Sequence, residues 1–128
     1  PPSLNYITIN AFAAADSIII PIQCEYFALE GVSDLIENIK LIKNSINPRL
    51  EIEGILLTMF DSRTNLSIQV AQDVKDCFPK KVYKVAIPRN TRLGEAPSFG
   101  TPIIYYDKYS KGAESYKALA KEFLKQNR

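Results

Sequence analysis

Residues 17–23, SIIIPIQ, form a short run that is rich in β-branched residues and almost entirely apolar. Runs of this kind are typical of strands buried on both faces in a parallel sheet. Two further apolar runs follow, EIEGILLTMF at residues 51–60 and KVYKVAIP at residues 81–88. The sequence therefore predicts three strands.

Amphipathic helices are predicted between and after these strands. Apolar residues recur at three- and four-residue steps before Asn47-Pro48, again after residue 65, and near the end of the chain. The apolar positions are Val32, Leu35, Ile36, Ile39, Ile42 and Ile46; Leu66, Val70, Val74 and Phe78; and Tyr116, Leu119, Ala120 and Phe123. An irregular segment rich in Gly and Pro, residues 89–102, precedes the last helix. This alternation of strand and helix predicts an α/β fold, a parallel sheet flanked by helices.

Three strands are few for a sheet with helices on both faces. An open parallel edge exposes unpaired amides and apolar side chains, which complete proteins usually cover. The chain also opens on PPSLNYITINAFAAAD, residues 1–16, with no starter Met and no leading strand. We therefore expect a sheet that is incomplete on the N-terminal side, within part of a single domain.

The composition narrows the possible functions. With 16 basic and 14 acidic side chains, the formal charge of +2 is too small to imply a nucleic-acid or membrane partner, so such a partner needs a local patch. The chain has no His and two isolated cysteines, which excludes zinc-ligand spacing and a Ser-His-Asp triad. We expect both thiols, Cys24 and Cys77, to pack as small apolar groups in a reducing cytosol. Because no signal peptide or long apolar span is evident, the sequence predicts a cytoplasmic protein.

The unusual chemistry lies in the segments that follow the predicted strands. These segments are QCEYFALEG at 23–31, TMFDSRTN at 58–65 and PRNTRLGEAPSFG at 88–100. In open parallel sheets, ligands bind beyond the carboxyl ends of the strands. A functional site is therefore expected among these three loops.

At these residues the sequence resembles the C-terminal half of ParA/Soj-type partitioning ATPases, relatives of MinD in the deviant Walker-A class of P-loop proteins. The matching stretches are PPSL (1–4), IIIPIQCEYFALEG (18–31), EIEGILLTMFDSRTNLS (51–67), IPRNTRLGEAPSFGTPI (87–103) and YDKYSKGAESYKALAKE (106–122). Together they span essentially the whole chain in the family's order. The resemblance implies that residues 1–128 are the C-terminal portion of a single ParA-like P-loop ATPase domain.

The resemblance also implies where the hydrolytic machinery lies. In the family, an Asp that helps to hold Mg²⁺ stands two residues before PPSL, and the KGGxGKT phosphate loop lies further upstream. No glycine-rich phosphate loop is present among the five glycines of this sequence. We expect ATP and Mg²⁺ in the complete parent protein, but no tight binding and no ATP hydrolysis by this chain alone. No catalytic or metal-binding residue is assigned within it.

By the same resemblance, Met59, Pro88, Arg89 and Asn90 line an adenine pocket. Apolar atoms would stack on the base, and the Asn90 side chain or backbone groups would read its edge. A simpler interpretation is that Met59 ends a core strand and Pro88 terminates another.

Arg63 and Arg92 are the candidates for binding DNA phosphates. In the family, ATP-driven dimers bind DNA without sequence preference through basic residues at matching positions, and dimerisation pairs two weak patches. Lys84 and Arg89 are weaker companions. The alternative is that each arginine is a solvated turn residue paired with Asp61 or Glu95.

Four acidic residues admit further interpretations. Asp61 and Glu95 could be paired carboxylates for acid–base chemistry, although loop capping is favoured. Glu25 and Glu30 could lie near a dimer face, although favourable charge at a helix N-terminus is the simpler explanation.

The resemblance implies three partners: non-specific DNA, a ParB-like centromere-binding protein and a second copy of the chain in an ATP-bound homodimer. It also implies nucleoid association. The lysine-bordered last helix could suit a membrane surface, but its modest apolar face is needed for packing, so no membrane partner is expected.

The competing hypothesis is a non-catalytic interaction module that binds a partitioning partner or a full-length subunit without nucleotide.

Overall fold

The structure, a computed structural model, describes residues 4–128. The prolines of the PPSL motif, and any role of that stretch beside a hydrolysis strand, lie outside the described residues. The elements in chain order are α1 (Tyr6–Ala14), β1 (Ser17–Gln23), α2 (Ala28–Ser45), β2 (Glu51–Thr58), α3 (Asn65–Cys77), α4 (Thr91–Glu95), a 3-10 helix (Ala96–Phe99), α5 (Ile103–Tyr106) and α6 (Lys111–Gln126).

The two regular strands are parallel neighbours. Ser17 pairs with Glu51 at one end and Gln23 pairs with Thr58 at the other, with one register shift between Ile18 and Ile19. The parallel α/β fold predicted from the sequence is therefore confirmed.

The prediction of a third regular strand over residues 81–88 is wrong. This segment does run beside β2, because Tyr83 N donates to Ile55 O at 2.9 Å and Ile87 N donates to Leu57 O at 2.9 Å. Between these two contacts, however, the backbone amides of Lys84 and Val85 donate to the Glu122 carboxylate of α6. The segment therefore forms two isolated parallel bridges, Val82 with Ile55 of β2 and Pro88 with Phe60 just beyond β2.

Helices cover the two faces of this sheet unequally. On one face, α2 and α3 pack over a core that includes Ile20, Ile55, Leu57 and Val74. On the other face, Leu119 and Phe123 of α6 pack against a second cluster, whose buried members are Leu56, Tyr83 and Ile87. The two clusters place β2 between two layers of helix.

β1 is not buried on both faces as predicted. Its residues alternate, with Ile20 and Ile22 buried while Ile19 and Pro21 are exposed. The face of β1 that carries Ile19 and Pro21 is open because α6 covers only β2 and the 81–88 segment.

The irregular segment predicted over residues 89–102 also differs from the structure. It holds α4 and the 3-10 helix, which Gly100 ends in a left-handed conformation with φ 61°.

The helical stripes are confirmed only in part. Val32, Ile39 and Ile42 are buried in α2, whereas Ile46 is exposed. In the second stripe, Leu66 is exposed. The third stripe is wrong for Tyr116 and Ala120, which are exposed in the middle of α6. Apolar periodicity therefore overstates the burial of these side chains. Across residues 4–128, none of the helices has the length and apolar character needed to cross a membrane.

Candidate functional site

The three loops that follow β1, β2 and the 81–88 segment are joined by hydrogen bonds. Cys24 N donates to Thr58 O at 3.0 Å, which links the first loop to the second. Ser67, at the start of α3, donates from its hydroxyl to Cys24 O at 3.4 Å and accepts from Asp61 N at 3.2 Å. Arg89 N donates to Phe60 O at 2.9 Å, which links the second loop to the third. The loops thus meet at one edge of the sheet, as the sequence predicts.

Met59 has an unusual backbone conformation. Its φ of 54° makes it the one non-glycine residue with positive φ among residues 4–128. Such a conformation costs free energy for a side chain other than Gly, and residues of this kind cluster at functional sites. Met59 directly follows β2 with its side chain half-buried, and the next residue, Phe60, pairs with Pro88. Two of the predicted adenine residues, Met59 and Pro88, therefore lie close together, the first just beyond β2 and the second at the end of the 81–88 segment.

Asn90 forms a helix-capping hydrogen bond and Arg89 forms an ion pair, neither of which the sequence predicts. The side-chain Oδ1 of Asn90 accepts from Leu93 N at 3.2 Å and so caps the N-terminus of α4. This contact uses the amide oxygen of Asn90. Arg89 is exposed and forms a long ion pair, 3.5 Å, with Glu25 of the first loop. Glu25 therefore bridges loops, while Glu30 lies in the first turn of α2, as the helix-terminus interpretation predicts.

Arg63 is held tightly within its own turn. Its Nε donates to Asp61 Oδ1 at 2.9 Å and its Nη2 donates to Asp61 Oδ2 at 2.8 Å. Arg63 N also donates to Oδ1, at 3.0 Å, so Asp61 caps the turn as well. These hydrogen bonds lower the pKa of Asp61 to about 2. The arginine side chain nevertheless remains 84% exposed.

Arg92 lies on α4 in a wider network of polar groups. Its Nη1 is 3.1 Å from Glu95 Oε2, and its Nε is 3.4 Å from Asp107 Oδ2. The Tyr106 hydroxyl donates to the same Glu95 oxygen at 2.8 Å. The Tyr106 hydroxyl and the Arg92 guanidinium together lower the pKa of Glu95. The pairing with Asp61 and Glu95 that the sequence left as an alternative is thus present at both arginines.

A large groove lies elsewhere among the described residues. It has a volume of about 1530 Å³, is lined by every residue of β1, and runs past α2 to Thr64 and Ser67. Arg89 lines it, whereas Met59, Pro88 and Asn90 do not. Tyr26 and Phe27, which pack edge to face at 5.1 Å, border it and are strongly exposed. The predicted adenine residues and this groove therefore meet at Arg89.

Three residues of this region escape prediction from the sequence: Tyr106, Asp107 and Glu122. Tyr106 and Asp107 lie 14 and 15 positions beyond Arg92, and Glu122 lies in the helix beyond them. Asp107 follows α5 directly, and its position after a short helix is the one local signal that could have indicated a role. Their contacts depend on how α5 and α6 pack, which a local pattern does not contain.

Sequence comparison shows that the chain is similar to the proteins ParA and Soj. A family model described as an AAA domain matches residues 1–52. The chain is 58% identical over 127 residues to the chromosome partitioning protein ParA of Myxococcus xanthus, covering 99% of this chain and 45% of that protein. It is 60% identical over 122 residues to the sporulation initiation inhibitor protein Soj of Bacillus subtilis, covering 95% of this chain and 48% of that protein. The chain thus spans about half the length of these relatives, and the resemblance to ParA and Soj is confirmed.

Solved structures show the same fold. Cobyrinic acid a,c-diamide synthase from Mycobacterium smegmatis matches with a TM-score of 0.76 and 34% sequence identity, covering 100% of this chain and 45% of that one. The same enzyme with bound ADP and magnesium matches with a TM-score of 0.71 and 35% identity, covering 94% of this chain and 42% of that one. Again the likeness extends over about half of the larger protein.

Proposed function

Because the chain matches ParA/Soj-type partitioning ATPases along nearly all of its length, we propose that it is the C-terminal part of an ATP-dependent protein that segregates chromosomes or plasmids. The observation that carries this proposal is the identity of 58–60% to ParA and Soj over at least 95% of the chain. The structure supports it through the junction of three loops at one sheet edge.

In the complete protein, the proposed role of this chain in nucleotide binding is to hold the adenine end of ATP. Met59 and Pro88 would offer apolar atoms to the base, and Arg89 and Asn90 would offer polar groups at its edge. The positive φ of Met59 and its position beside the Phe60–Pro88 bridge support this assignment. In Asn90, the amide nitrogen is the group suited to the base, because its oxygen already caps α4.

The phosphate chemistry is assigned to residues outside this sequence. Within residues 4–128, no three His, Cys, Asp or Glu side chains are grouped so that they could hold a metal ion. ATP with Mg²⁺ would supply the transferable phosphoryl group in the parent protein, where binding to a phosphate loop stabilises the charge that develops. We propose that the chain alone does not hydrolyse ATP. Its own residues would position the adenine base and contribute part of the DNA-binding surface.

The proposed DNA contacts are Arg63 and Arg92, two exposed arginines at one edge of the sheet, the first in the loop after β2 and the second on α4. In an ATP-bound homodimer the two pairs would act together, which raises affinity for the phosphate backbone without reading sequence. A ParB-like protein is the proposed partner and the nucleoid the proposed location.

The test is DNA binding by the full-length protein that contains this chain, with and without ATP. We expect binding that requires ATP, falls steeply with salt, and is lost in the Arg63→Glu, Arg92→Glu double variant. The Lys117→Glu, Lys121→Glu double variant on the exposed side of α6 is the matched control, since it makes the same charge change away from the loops. Unchanged binding in the arginine double variant would overturn the DNA assignment.

A second candidate function, a non-catalytic interaction module, is favoured by one observation. β1 and the exposed Tyr26–Phe27 pair border the groove of about 1530 Å³, which suits a protein partner. Co-purification of this chain with the full-length protein, without ATP binding by the chain, would favour this function.

A further inference from the structure

Each proposed DNA-binding arginine already holds a carboxylate that resembles a phosphate. At Arg63, Nε and Nη2 contact the two oxygens of Asp61 at 2.9 and 2.8 Å. Two parallel N–H donors on two acceptor oxygens is also the arrangement in which Arg binds phosphate. Asp61 thus occupies the Nε–Nη2 edge of the guanidinium, one of the two edges that a DNA phosphate could use.

The two carboxylates are themselves held in place by uncharged donors. Asp61 Oδ1 accepts from Arg63 N at 3.0 Å, and Glu95 Oε2 accepts from the Tyr106 hydroxyl at 2.8 Å. A carboxylate held in this way loses little conformational entropy when it pairs with its arginine. It can therefore re-form the ion pair readily after a phosphate has left.

We propose that Asp61 and Glu95 limit the affinity of the protein for DNA by competing with phosphate for Arg63 and Arg92. This inference rests on the proposed function, because it needs the two arginines to contact DNA. Binding a phosphate then exchanges one anionic partner for another rather than engaging a free cation. Neutralising Asp61 releases Arg63, and neutralising Glu95 leaves Arg92 paired with Asp107 alone, so each change tightens binding.

The simplest variant is Asp61→Asn, because an Asn Oδ1 can still accept from Arg63 N and preserve the turn. At Arg92 the corresponding variant is Glu95→Gln, which keeps an oxygen for the Tyr106 hydroxyl. The matched control is Asp76→Asn on the exposed side of α3. Asp76 accepts from Gln72 Nε2 at 2.8 Å, so the control removes the same charge without releasing an arginine.

The experiment measures binding of the full-length protein with ATP to a duplex of arbitrary sequence, over a series of salt concentrations. For Asp61→Asn we expect affinity to rise about two- to fivefold, in keeping with the modest strength of exposed ion pairs. The slope of log affinity against log salt should steepen by about one for each released arginine that gains a phosphate. Asp76→Asn should leave that slope unchanged.

A double-mutant cycle separates this mechanism from a general charge effect. In an Arg63→Gln background, Asp61→Asn should no longer tighten binding, because no arginine remains to be released. An equal gain in that background, or an equal gain from Asp76→Asn, would overturn the inference. So would an unchanged affinity for Asp61→Asn in a protein whose circular dichroism spectrum matches the wild type.

The cycle also distinguishes this inference from the proposed function. If Arg63→Gln and Arg92→Gln together leave DNA binding at the wild-type level, the DNA assignment itself fails. If they weaken binding while Asp61→Asn and Glu95→Gln change nothing, the competition alone fails.

Discussion

The carboxylate of Glu122, on α6, accepts a hydrogen bond from the backbone amide of Lys84 at 2.8 Å. Its second oxygen accepts from the next amide, Val85 N, at 3.1 Å. One side chain of the last helix therefore satisfies two amides of the segment that leads to Pro88 and the candidate adenine loop.

Replacing Glu122 by Ala should destabilise the protein. Lys84 N and Val85 N would lose their charged acceptor, and hydrogen bonds to charged groups contribute about 1.5–3 kcal/mol each at most. We expect the free energy of unfolding to fall by about 1–3 kcal/mol, because water can reach part of this site. Glu114→Ala, at an exposed position of the same helix, is the control and should change stability little. Urea unfolding of both variants tests this prediction. Equal unfolding midpoints for Glu122→Ala and Glu114→Ala would contradict it.

Removing the Tyr83 hydroxyl should stabilise the protein. Tyr83 is 2% exposed, and its hydroxyl has no hydrogen-bond partner in the structure. A buried hydroxyl without a partner costs about 1–3 kcal/mol, whereas the ring itself contributes apolar contacts. We expect Tyr83→Phe to raise the free energy of unfolding by about 1 kcal/mol in the same urea assay. A loss of stability would mean that the hydroxyl has a partner.

Gly54→Ala should destabilise the protein through the same ring. A Cβ at position 54 would lie 2.7 Å from the Tyr83 ring carbon Cζ, closer than side chains approach each other. The ring is buried and cannot move aside freely, so overpacking should cost about 1–3 kcal/mol. Gly31→Ala is the matched control, because nothing lies within 4 Å of an added Cβ there and α2 favours Ala. Thermal unfolding should show a lower midpoint for the first variant and an equal or higher one for the second.

Asp61 should titrate at unusually low pH. The Arg63 hydrogen bonds lower its pKa from the ordinary 3.8 to about 2. Since the folded-state pKa is lowered, the stability that the pair contributes is fully present above about pH 4 and is lost as pH falls through about 2. NMR of the side-chain carboxyl carbon should show this midpoint in the wild type. In Arg63→Gln the midpoint should return towards 3.8, and an unchanged midpoint would refute the ion pair.

The two cysteines should differ sharply in reactivity. Cys24 is buried, and burial raises the pKa of its thiol, whereas Cys77 is exposed at the end of α3. The expectation that both thiols pack as apolar groups is therefore wrong for Cys77. Because the thiolate is the reactive form, iodoacetamide should label Cys77 in the folded protein and reach Cys24 only after unfolding. Mass spectrometry of tryptic peptides would identify the labelled thiol, and labelling of both at equal rates would contradict the burial of Cys24.

Local sequence patterns predict several strands and helices of this fold, because the patterns reflect conformational preferences of residues that are close together in the sequence. The run at residues 17–23 becomes β1 with the same bounds, and the apolar repeats place α2 and α3 correctly. β-branched apolar runs and three- to four-residue repeats each favour one backbone conformation, independently of what packs against them. The resemblance to ParA and Soj was likewise carried by short motifs and is confirmed by comparison.

Only the tertiary structure decided how those elements are used. Glu122 lies 38 positions beyond Lys84 along the chain, yet it accepts from the amides of Lys84 and Val85, in the segment where a third strand was predicted. The sequence by itself therefore determined the two regular strands, the main amphipathic helices and which loops carry charge, but not the fate of the 81–88 segment. The packing of α5 beside α4 determined that Arg92 meets Asp107 as well as its sequence neighbour Glu95, because contacts between residues far apart in sequence exist only after folding.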